Sequence, residues 1–441
     1  MNDDPPRIAY LTAGAAGMFC GSCMHDNTLA TALHRRNVDI ALMPIYTPIR
    51  TDEDNVSIDH VFFGGLNVYL QQKLPIFRHL PSFLDRLLDR PSLIRWLANG
   101  SIETQPEHLG DLTISMLRGE AGFQAKEVRK LTRWLQTEHR PDLINLSNLL
   151  VAGCVPTLKR TLQVPIVVTL QGDDIFLDSL PTEYREQAIQ HARKLVPDVD
   201  AFVVFSQFYA EYMADYFEIP EDKIHQVPLG IKTDDYADPP SQNETTQVIG
   251  YLARLAPEKG LHLLVEAFLR LRKQPQHKNL QLRIAGWLGK QNTAYAQEQF
   301  ARLDAAGLGS EYEYLGTIER QQKLDFLRQL DILSVPTVYH EPKGLFVLEA
   351  LASGVPVIQP NHGAFPELIN NTQGGLLCKP NDADDLAIQL GQLLLDSAQR
   401  NRLGTAGRKN VLERFNADQM AAKTLDLYRR LISNRNETIE T

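Results

Sequence analysis

Short apolar runs alternate with longer segments of mixed polarity along most of the chain. In the first half, five apolar runs predict buried β-strands, and each is followed by a segment that predicts a helix: 7–14, 38–44, 141–147, 164–170 and 199–206. Short strands separated by helices are typical of a parallel sheet that is covered on both faces. The first half therefore predicts a doubly wound α/β domain.

A second α/β domain is predicted after a polar interruption at 227–247, which is rich in Pro, Asp and small polar residues. The strand rhythm resumes after it with five further apolar runs: 248–255, 280–287, 311–317, 331–337 and 355–360. We place the N-terminal domain at 1–228, with a helical insertion at about 69–138, and the C-terminal domain at 229–415. The segment 416–441 predicts a final helix, and its sequence leaves open which domain it packs against.

Composition narrows the class of protein. A chain of 441 residues is too long for one ordinary core. Its net charge of -9, with 22% charged residues, argues against a general nucleic-acid binder. No apolar run approaches the length of a bilayer span, and the N-terminus has no signal-like pattern, which predicts a cytoplasmic protein. Four cysteines are too few for a disulfide framework.

The stretch YHEPKGLFVLEALASGVPVI, residues 339–358, contains two glutamates with chemical potential. Glu341 lies in a loop that ends at Gly344, and a helix predicted from Leu345 places Glu349 in its first turns. Free amides and the dipole at a helix N-terminus bind anions, so a carboxylate there is better suited to hydroxyl groups. Glu349 also lies in an otherwise apolar segment, where an unpaired carboxylate would be costly.

A second cluster, ARLAPEKG at 253–260, closes a predicted strand and opens a predicted helix. Arg254 offers a guanidinium fork and Lys259 an ammonium point charge, a combination that suits a diphosphate. Basic residues at strand ends are common, so this cluster alone is weak support for a phosphate site.

Together these stretches closely resemble the GT-B glycosyltransferases of family 4, the group 1 type, which are retaining enzymes that use nucleotide sugars. The resemblance extends over nearly the whole chain and is strongest in the C-terminal half. It implies two Rossmann-like domains that face each other across a cleft. It also implies a nucleotide-sugar donor, a UDP- or GDP-sugar, and a sugar or lipid-linked acceptor, with no cofactor and no metal ion.

The resemblance assigns roles to individual residues. Arg254 and Lys259 would hold the donor diphosphate and stabilise the leaving group, and Glu341 would contact hydroxyls of the transferred sugar. Glu349 would accept hydrogen bonds from the ribose. Further donor contacts are implied for backbone and loop positions, namely Gly344, Leu345, Phe346, Thr317, Ile318 and Gly286.

The resemblance also suggests residues for the acceptor side. The glycine-rich loop after the first strand would face the cleft through Gly17 and Gly21. After the strand at 164–170 the family usually has a histidine, and this chain has Gln171. A glutamine can replace that histidine if only the backbone carbonyl of this residue is used at the sugar. A role that needs a charged imidazole is excluded. Asp173 is the nearest acidic neighbour and a weaker candidate.

Cys20 and Cys23 stand in the pattern CGSC, followed by a histidine. Small residues that line the cleft and buried core thiols are the favoured interpretations. A redox pair at a helix start stays open. Structural zinc needs four ligands, and this stretch offers at most three.

Three Asp-x-Asp patterns, at 52–54, 198–200 and 382–384, resemble metal-binding motifs of another glycosyltransferase fold. Such spacings arise readily by chance among 54 acidic residues, so a metal-independent enzyme is predicted. The basic, aromatic stretch 69–98 is interpreted as a helical pair over the sheet, an acceptor-binding lid or a membrane-surface patch.

Two alternatives to a transferase stay open from the sequence. One is an epimerase or hydrolase of sugar nucleotides with the same fold. The other is a protein that binds nucleotide sugars without turnover, which the joint presence of Arg254, Lys259, Glu341 and Glu349 disfavours.

Overall fold

The computed structural model describes residues 5–14, 20–63, 72, 106–237 and 246–440. The chain divides into two compact units. The first comprises Met1–Phe205, Tyr209–Pro228 and Met420–Thr441, and the second comprises Ser206–Phe208 and Leu229–Gln419. The stretch interpreted above as a lid or membrane patch, 69–98, lies outside the described residues except for position 72.

The first unit contains a parallel sheet built from the short apolar runs of the N-terminal half. Its strands are β1 (Arg7–Thr12), β2 (Asp39–Pro44), β3 (Leu143–Leu146), β4 (Ile166–Thr169), β5 (Ala201–Val204) and β6 (Ile224–Gln226). They lie in the order β2-β1-β3-β4-β5-β6. Every residue of β3, β4 and β5 is buried, because helices cover both faces of a parallel sheet.

The helices of this unit connect the strands. They are Gly21–Arg35, Pro106–Leu117, Ala125–Trp134, Val155–Leu162, Asp173–Asp178, Thr182–Arg193 and Gln207–Phe217. A π-helical turn, Leu135–His139, extends the third of them, and short 3₁₀ turns occupy Gly119–Ala121, Leu149–Cys154, Val196–Asp198 and Glu221–Lys223. The final helix, Ala417–Glu440, begins in the second unit and continues into the first.

The second unit repeats the plan with a different strand order. Its strands are β7 (Val248–Leu252), β8 (Gln281–Ala285), β9 (Tyr312–Tyr314), β10 (Ile332–Leu333), β11 (Val357–Pro360) and β12 (Gly375–Cys378). They are parallel and lie in the order β12-β11-β10-β7-β8-β9. The helices are Leu261–Arg272, Thr293–Ala305, Arg320–Leu327, Leu345–Ala352, Phe365–Thr372, Ala383–Leu395 and Ser397–Arg414.

The strand orders locate the candidate ligand sites. In an open α/β sheet, ligands bind outside the carboxyl ends of the strands, at the point where the order reverses. That point lies between β1 and β3 in the first unit and between β7 and β10 in the second. Most motifs singled out in the sequence follow these strands or their neighbours.

The predicted fold class, two doubly wound parallel sheets, is confirmed. Two edge strands, β6 and β12, escaped the sequence prediction, and the strand predicted at 331–337 is shorter than expected. None of the helices in the described ranges is long and apolar enough to cross a membrane.

Candidate functional site

The turn after β7 carries Lys259 to the loop after β10. The 3₁₀ turn Pro257–Lys259 ends at Gly260, whose φ is +73°. A Cβ atom there would lie 1.8 Å from the carbonyl oxygen of Pro336, so only glycine permits this close approach. The two loops at the point of reversal are thereby packed against each other.

Lys259 and Glu341 form an ion pair at this place. The ammonium donates a hydrogen bond to Glu341 Oε2 at 2.8 Å, and only 14% and 6% of the two side chains are exposed. The ammonium also bonds the hydroxyl of Tyr339 and lies 4.8 Å from the centre of its ring. Sequence analysis placed Lys259 and Glu341 in one site, and the structure brings them into direct contact.

The other oxygen of Glu341 faces its own loop. Oε1 accepts from the backbone N–H groups of Lys343 and Gly344, both at 3.3 Å. Burial alone would raise the pKa of Glu341, but the charge of Lys259 and the hydrogen bonds from Lys259 and Tyr339 lower it to about 2. Glu341 is therefore ionised at neutral pH and accepts hydrogen bonds from four groups of its own chain.

Arg254 lies nearer the surface than Lys259. Its guanidinium pairs with Glu258, with 3.1 Å between Nη2 and Oε1, and both side chains are more than a third exposed. The hydroxyl of Tyr251 donates to the carbonyl oxygen of Arg254 at 3.0 Å and fixes the backbone at the end of β7. A partly exposed guanidinium that pairs with a surface carboxylate can exchange that partner for an anionic ligand.

Glu349 has a partner that sequence analysis missed. Lys323, on the helix Arg320–Leu327, donates a hydrogen bond from its ammonium to Glu349 Oε1. The exposed fractions of the two side chains are 6% and 7%. The carboxylate is thus compensated within an apolar helix, and a solvated position is ruled out. No local pattern marks Lys323, because a lysine in RQQKLDFL is ordinary on a helix surface.

Backbone groups expected around the donor lie at the carboxyl edge of the same sheet. Gly344, with φ +76°, caps the helix that begins with Leu345 and Phe346, and the Phe346 ring lies 6.0 Å from the Lys259 ammonium. Gly286 follows β8 with φ +145°, and a Cβ there would lie 1.8 Å from the Ala253 carbonyl oxygen.

The loop after β9 carries the last two donor-side candidates. Thr317 is exposed and Ile318 half-buried between β9 and the helix Arg320–Leu327. The helix itself starts with a capping box between Glu319 and Gln322, which fixes where the loop ends. The structure gives neither Thr317 nor Ile318 a role of its own beyond this position.

The first unit centres on a carboxylate that sequence analysis did not select. Asp26, fully buried on the helix Gly21–Arg35, accepts from Tyr10 at 2.8 Å, Thr12 at 2.7 Å and the Gln171 side-chain amide at 2.9 Å. His25 Nδ1 lies 3.1 Å from the same carboxylate. Asp26 therefore ties β1, its helix and the loop after β4 together.

Gln171 and Asp173 occupy the loop after β4. The Gln171 amide also donates to the carbonyl oxygen of Ser147 at 3.1 Å, so its side chain serves the polar network around Asp26. Asp173 accepts from the backbone N–H groups of Leu149 at 2.6 Å and Gln171 at 3.1 Å. Burial raises the pKa of Asp173 to about 6.

The thiol stretch is described from Cys20 onward, and Gly17 lies outside the described residues. Cys20 precedes the helix that begins at Gly21, while Cys23 is buried within it. Neither cysteine is in a disulfide. Their use as cleft-lining or core residues stays a prediction.

Residues of two of the acidic patterns have local structural roles. Asp200 pairs with Lys159 and accepts from the backbone of Ile166 at 2.7 Å, and Asp382 caps the helix Ala383–Leu395. Within the part of the chain that the structure describes, no group of three or more His, Cys, Asp or Glu side chains is arranged to hold a metal ion.

Comparison with known proteins gives two family matches. The model described as "Glycosyl transferases group 1" matches residues 233–410, and the model described as "Glycosyltransferase Family 4" matches residues 99–235. Glycogen synthase of Mycobacterium tuberculosis is 27% identical over 311 residues, which cover 70% of this chain and 72% of that protein. D-inositol 3-phosphate glycosyltransferase of Corynebacterium glutamicum is 26% identical over 68% of this chain and 75% of its own.

Solved structures share the fold. Sucrose-phosphate synthase from Thermosynechococcus elongatus superposes with a TM-score of 0.72 at 18% identity and covers 97% of this chain and 100% of its own. HepE from Anabaena, solved in complex with UDP and glucose, gives a TM-score of 0.66 at 17% identity over 96% of this chain and 100% of its own. At these identities the likeness is one of fold.

Proposed function

Because the chain belongs to the GT-B glycosyltransferases of group 1 and family 4, we propose that it transfers a sugar from a UDP- or GDP-sugar to an acceptor hydroxyl, with retention of anomeric configuration. The observation that carries this proposal is the Lys259–Glu341 pair, a half-buried ammonium on a buried carboxylate, at the point where the second sheet reverses its strand order. An ammonium at that edge is suited to the diphosphate of a nucleotide sugar.

The cations would act where charge develops. As the bond between the anomeric carbon and the diphosphate breaks, negative charge builds on the leaving oxygen. Lys259 is held in place by Glu341 and Tyr339, so it needs no reorganisation to stabilise that charge. Arg254 would exchange Glu258 for the diphosphate, where its fork can donate two hydrogen bonds.

Glu341 would have two tasks in this scheme. Its first task is to fix the ammonium of Lys259, which the ion pair supports directly. Its second is to accept a hydrogen bond from a hydroxyl of the transferred sugar. An ionised carboxylate has about four lone-pair sites on two oxygens, so the hydroxyl would compete with the long bonds from Lys343 and Gly344.

The remaining donor contacts follow the same edge. Glu349 would accept from the ribose hydroxyls, and the amides of Leu345 and Phe346 would surround sugar and phosphate. Thr317 and Ile318 would lie near the base, and Gly286 would allow the backbone to approach the nucleotide.

The acceptor would be an uncharged hydroxyl compound, and a sugar is the class we propose. The polar network of Gln171 and Asp26 supports this, because its amide and carboxylate groups can hold hydroxyls and the Asp26 carboxylate disfavours an anion. In the proposed retaining reaction, the acceptor oxygen attacks the face from which the diphosphate leaves. The leaving phosphate takes the acceptor's proton.

Three narrower proposals accompany this one. The enzyme would need no metal ion, so transfer should survive EDTA. The acceptor sugar would be linked to a lipid. The stretch 69–98 would contact a membrane surface, which would appear as binding to anionic vesicles. The enzyme would act in the cytoplasm or at the inner membrane surface.

A donor screen tests the proposal. Purified protein is heated with UDP-, GDP- and ADP-sugars, since a ligand that binds the native state raises the melting temperature. The stabilising donor is then incubated with sugar acceptors, and the anomeric configuration of the product is determined by NMR. An α-linked product from an α-linked donor supports retention.

Other outcomes identify the alternatives. Release of free sugar without an acceptor indicates a hydrolase, and a changed sugar on the same nucleotide indicates an epimerase. Binding without turnover indicates a non-catalytic protein. Loss of transfer in EDTA that Mn²⁺ restores would overturn the metal-independent mechanism.

A further inference from the structure

Lys323 and Glu349 form a buried ion pair whose presence stability alone does not explain. Taking an ammonium and a carboxylate out of water costs several kcal/mol for each ion, and apolar side chains of similar volume often serve stability as well. The surrounding helix faces are apolar and would accommodate such residues. The pair therefore indicates a functional role for Lys323 and Glu349.

The two oxygens of Glu349 have different surroundings. Oε1 accepts from the Lys323 ammonium. Within the described residues, the structure gives no hydrogen-bond donor to Oε2, and this atom is not among the fully enclosed polar atoms. An ionised carboxylate can only accept hydrogen bonds. Glu349 thus has one oxygen fixed by its own chain and one available to a hydroxyl.

A second cation interacts with Glu349. Arg320, one turn before Lys323 on the same helix, interacts electrostatically with Glu349. Arg320 is itself held by Asp235, with hydrogen bonds of 3.0 and 2.7 Å, and it lies over the ring of Tyr236. The helix after β9 therefore presents two positive charges toward one carboxylate on the helix after β10.

We propose that Lys323 is a positioning residue for nucleotide recognition: it holds one oxygen of Glu349 so that the other accepts a ribose hydroxyl. This inference rests on the proposed function, because it takes Glu349 as the ribose-binding carboxylate. Lys323 acts through Glu349 and makes no contact of its own with the ligand. Its effect should appear as discrimination between a ribonucleotide and the nucleotide that lacks the hydroxyl.

Calorimetry with paired ligands tests the proposal. The dissociation constants of UDP, GDP and ADP are measured beside those of their 2′-deoxy and 3′-deoxy forms. In the wild-type protein, loss of the hydroxyl bound by Glu349 should weaken binding by roughly ten- to a hundredfold, the worth of a hydrogen bond to a charged group. In Lys323→Met, the ratio of the dissociation constant of the deoxynucleotide to that of the ribonucleotide should fall to about threefold or less. A loosely held carboxylate discriminates poorly between the two ligands.

The ratio of the two dissociation constants distinguishes a loss of positioning from a loss of stability. A variant that is only less stable binds both ligands less well and leaves their ratio unchanged. Lys323→Gln keeps a donor without the charge, so its ratio should lie between those of wild type and Lys323→Met. The glutamine variant carries the test if the methionine variant does not fold.

A matched control removes another buried cation from the same unit. Arg400 lies 3.7 Å from Asp331, and the two side chains are 8% and 10% exposed. Asp331 directly precedes β10 and accepts from the first residue of β7, so this pair lies at the amino edge of the sheet. Arg400→Met should lower stability and keep the wild-type ligand ratio.

The outcomes are distinct. A wild-type ratio in the folded Lys323 variant overturns this inference and leaves the proposed function intact. Failure of the wild-type protein to bind any nucleoside diphosphate overturns the proposed function itself. A reduced ratio in Lys323→Met together with a wild-type ratio in Arg400→Met supports the inference.

Discussion

The two units share one layered architecture but hold their buried carboxylates in different ways. In the second unit, Glu341 and Glu349 each receive a hydrogen bond from a lysine ammonium, Lys259 and Lys323. In the first unit, Asp26 receives hydrogen bonds from hydroxyl and amide groups, with an imidazole nearby. The strand orders place both sets near the carboxyl edges of their sheets.

The difference shows that the fold supplies the place and the side chains supply the chemistry. Ammonium groups at the second edge favour an anionic ligand such as a diphosphate. A buried carboxylate that accepts from hydroxyl and amide groups favours a ligand with hydroxyl groups and disfavours an anion. The contrast agrees with a donor site in the second unit and an acceptor site in the first.

The largest expected effect comes from removing the ammonium at the second edge. Lys259→Met keeps the length of the side chain but cannot stabilise a leaving diphosphate, so kcat/KM should fall by about 10²–10³. Steady-state kinetics with the donor found by thermal shift measures it. Lys290→Met, an exposed lysine in the turn after β8, is the control. A wild-type kcat/KM in Lys259→Met would show that this ammonium does not stabilise a leaving diphosphate.

The second prediction assigns different functions to the two glutamates at the carboxyl edge of the second sheet. Glu349→Gln changes a contact to the ribose, which is alike in ground and transition states, so it should mainly raise the donor KM. Glu341→Gln loosens Lys259 where charge develops and should mainly lower kcat. Each effect should be about ten- to a hundredfold.

Kinetics on both glutamate variants, with folding checked by circular dichroism, measures this division. Glu313→Gln, an exposed glutamate in β9 of the same sheet, serves as the control. A fall in kcat without a change of KM in Glu349→Gln would contradict its assignment to the ribose.

The third prediction concerns Asp26 and separates the two units. Asp26→Asn keeps the shape but weakens bonds that join β1 to the loop after β4, so the first unit should lose about 1–3 kcal/mol of stability. Calorimetric unfolding measures this loss. Nucleoside diphosphate affinity, which the proposed function assigns to the second unit, should be unchanged. Asp59→Asn, an exposed aspartate of the first unit, is the control. Lost nucleotide affinity in folded Asp26→Asn would break the assignment of separate tasks.

The sequence pattern predicted the sheets well wherever strands are fully buried. The two missed strands lie at sheet edges, and their compositions explain the omission. β6 reads IHQ and is at least partly exposed throughout, while β12 reads GLLC and begins with a glycine. An edge strand is paired on one side only and needs no long apolar run. Its position depends on the neighbour it pairs with, and three or four residues do not specify that neighbour.

The candidate site was predictable where a motif keeps interacting residues in one short stretch. Glu341, Gly344 and Glu349 fall within nine residues of chain, and their relative positions follow from one loop and one helix. Lys323 lies 26 residues from Glu349 and reaches it only through the packing of two helices. Asp26 depends in the same way on Gln171, 145 residues away. Such pairs leave no periodic signal in the sequence.

The last prediction is a pH dependence of stability that arises in the loop after β4. Burial raises the pKa of Asp173 from 3.8 to about 6. Between about pH 4 and 6 the unfolded chain releases this proton while the folded protein keeps it, so stability falls as pH rises. Above pH 6 the loss is complete, at about 1–3 kcal/mol. Asp173→Asn does not titrate and should abolish this fall.

Hydrogen exchange of the Leu149 and Gln171 amides gives a local readout, because both donate to Asp173. In the wild-type protein, their opening free energy should decrease between pH 4 and 6 after correction for the intrinsic exchange rate. In Asp173→Asn it should be flat across that range and lower by about 1 kcal/mol at acidic pH, since the amide NH₂ cannot replace one of the two accepting oxygens. Asp59→Asn should keep the wild-type slope. If the opening free energy in Asp173→Asn decreases with pH as steeply as in the wild-type protein, groups other than Asp173 set the pH dependence of this loop. Asp173 would then not be the carboxyl group that titrates in this range, in contrast to Glu341, which stays ionised down to about pH 2.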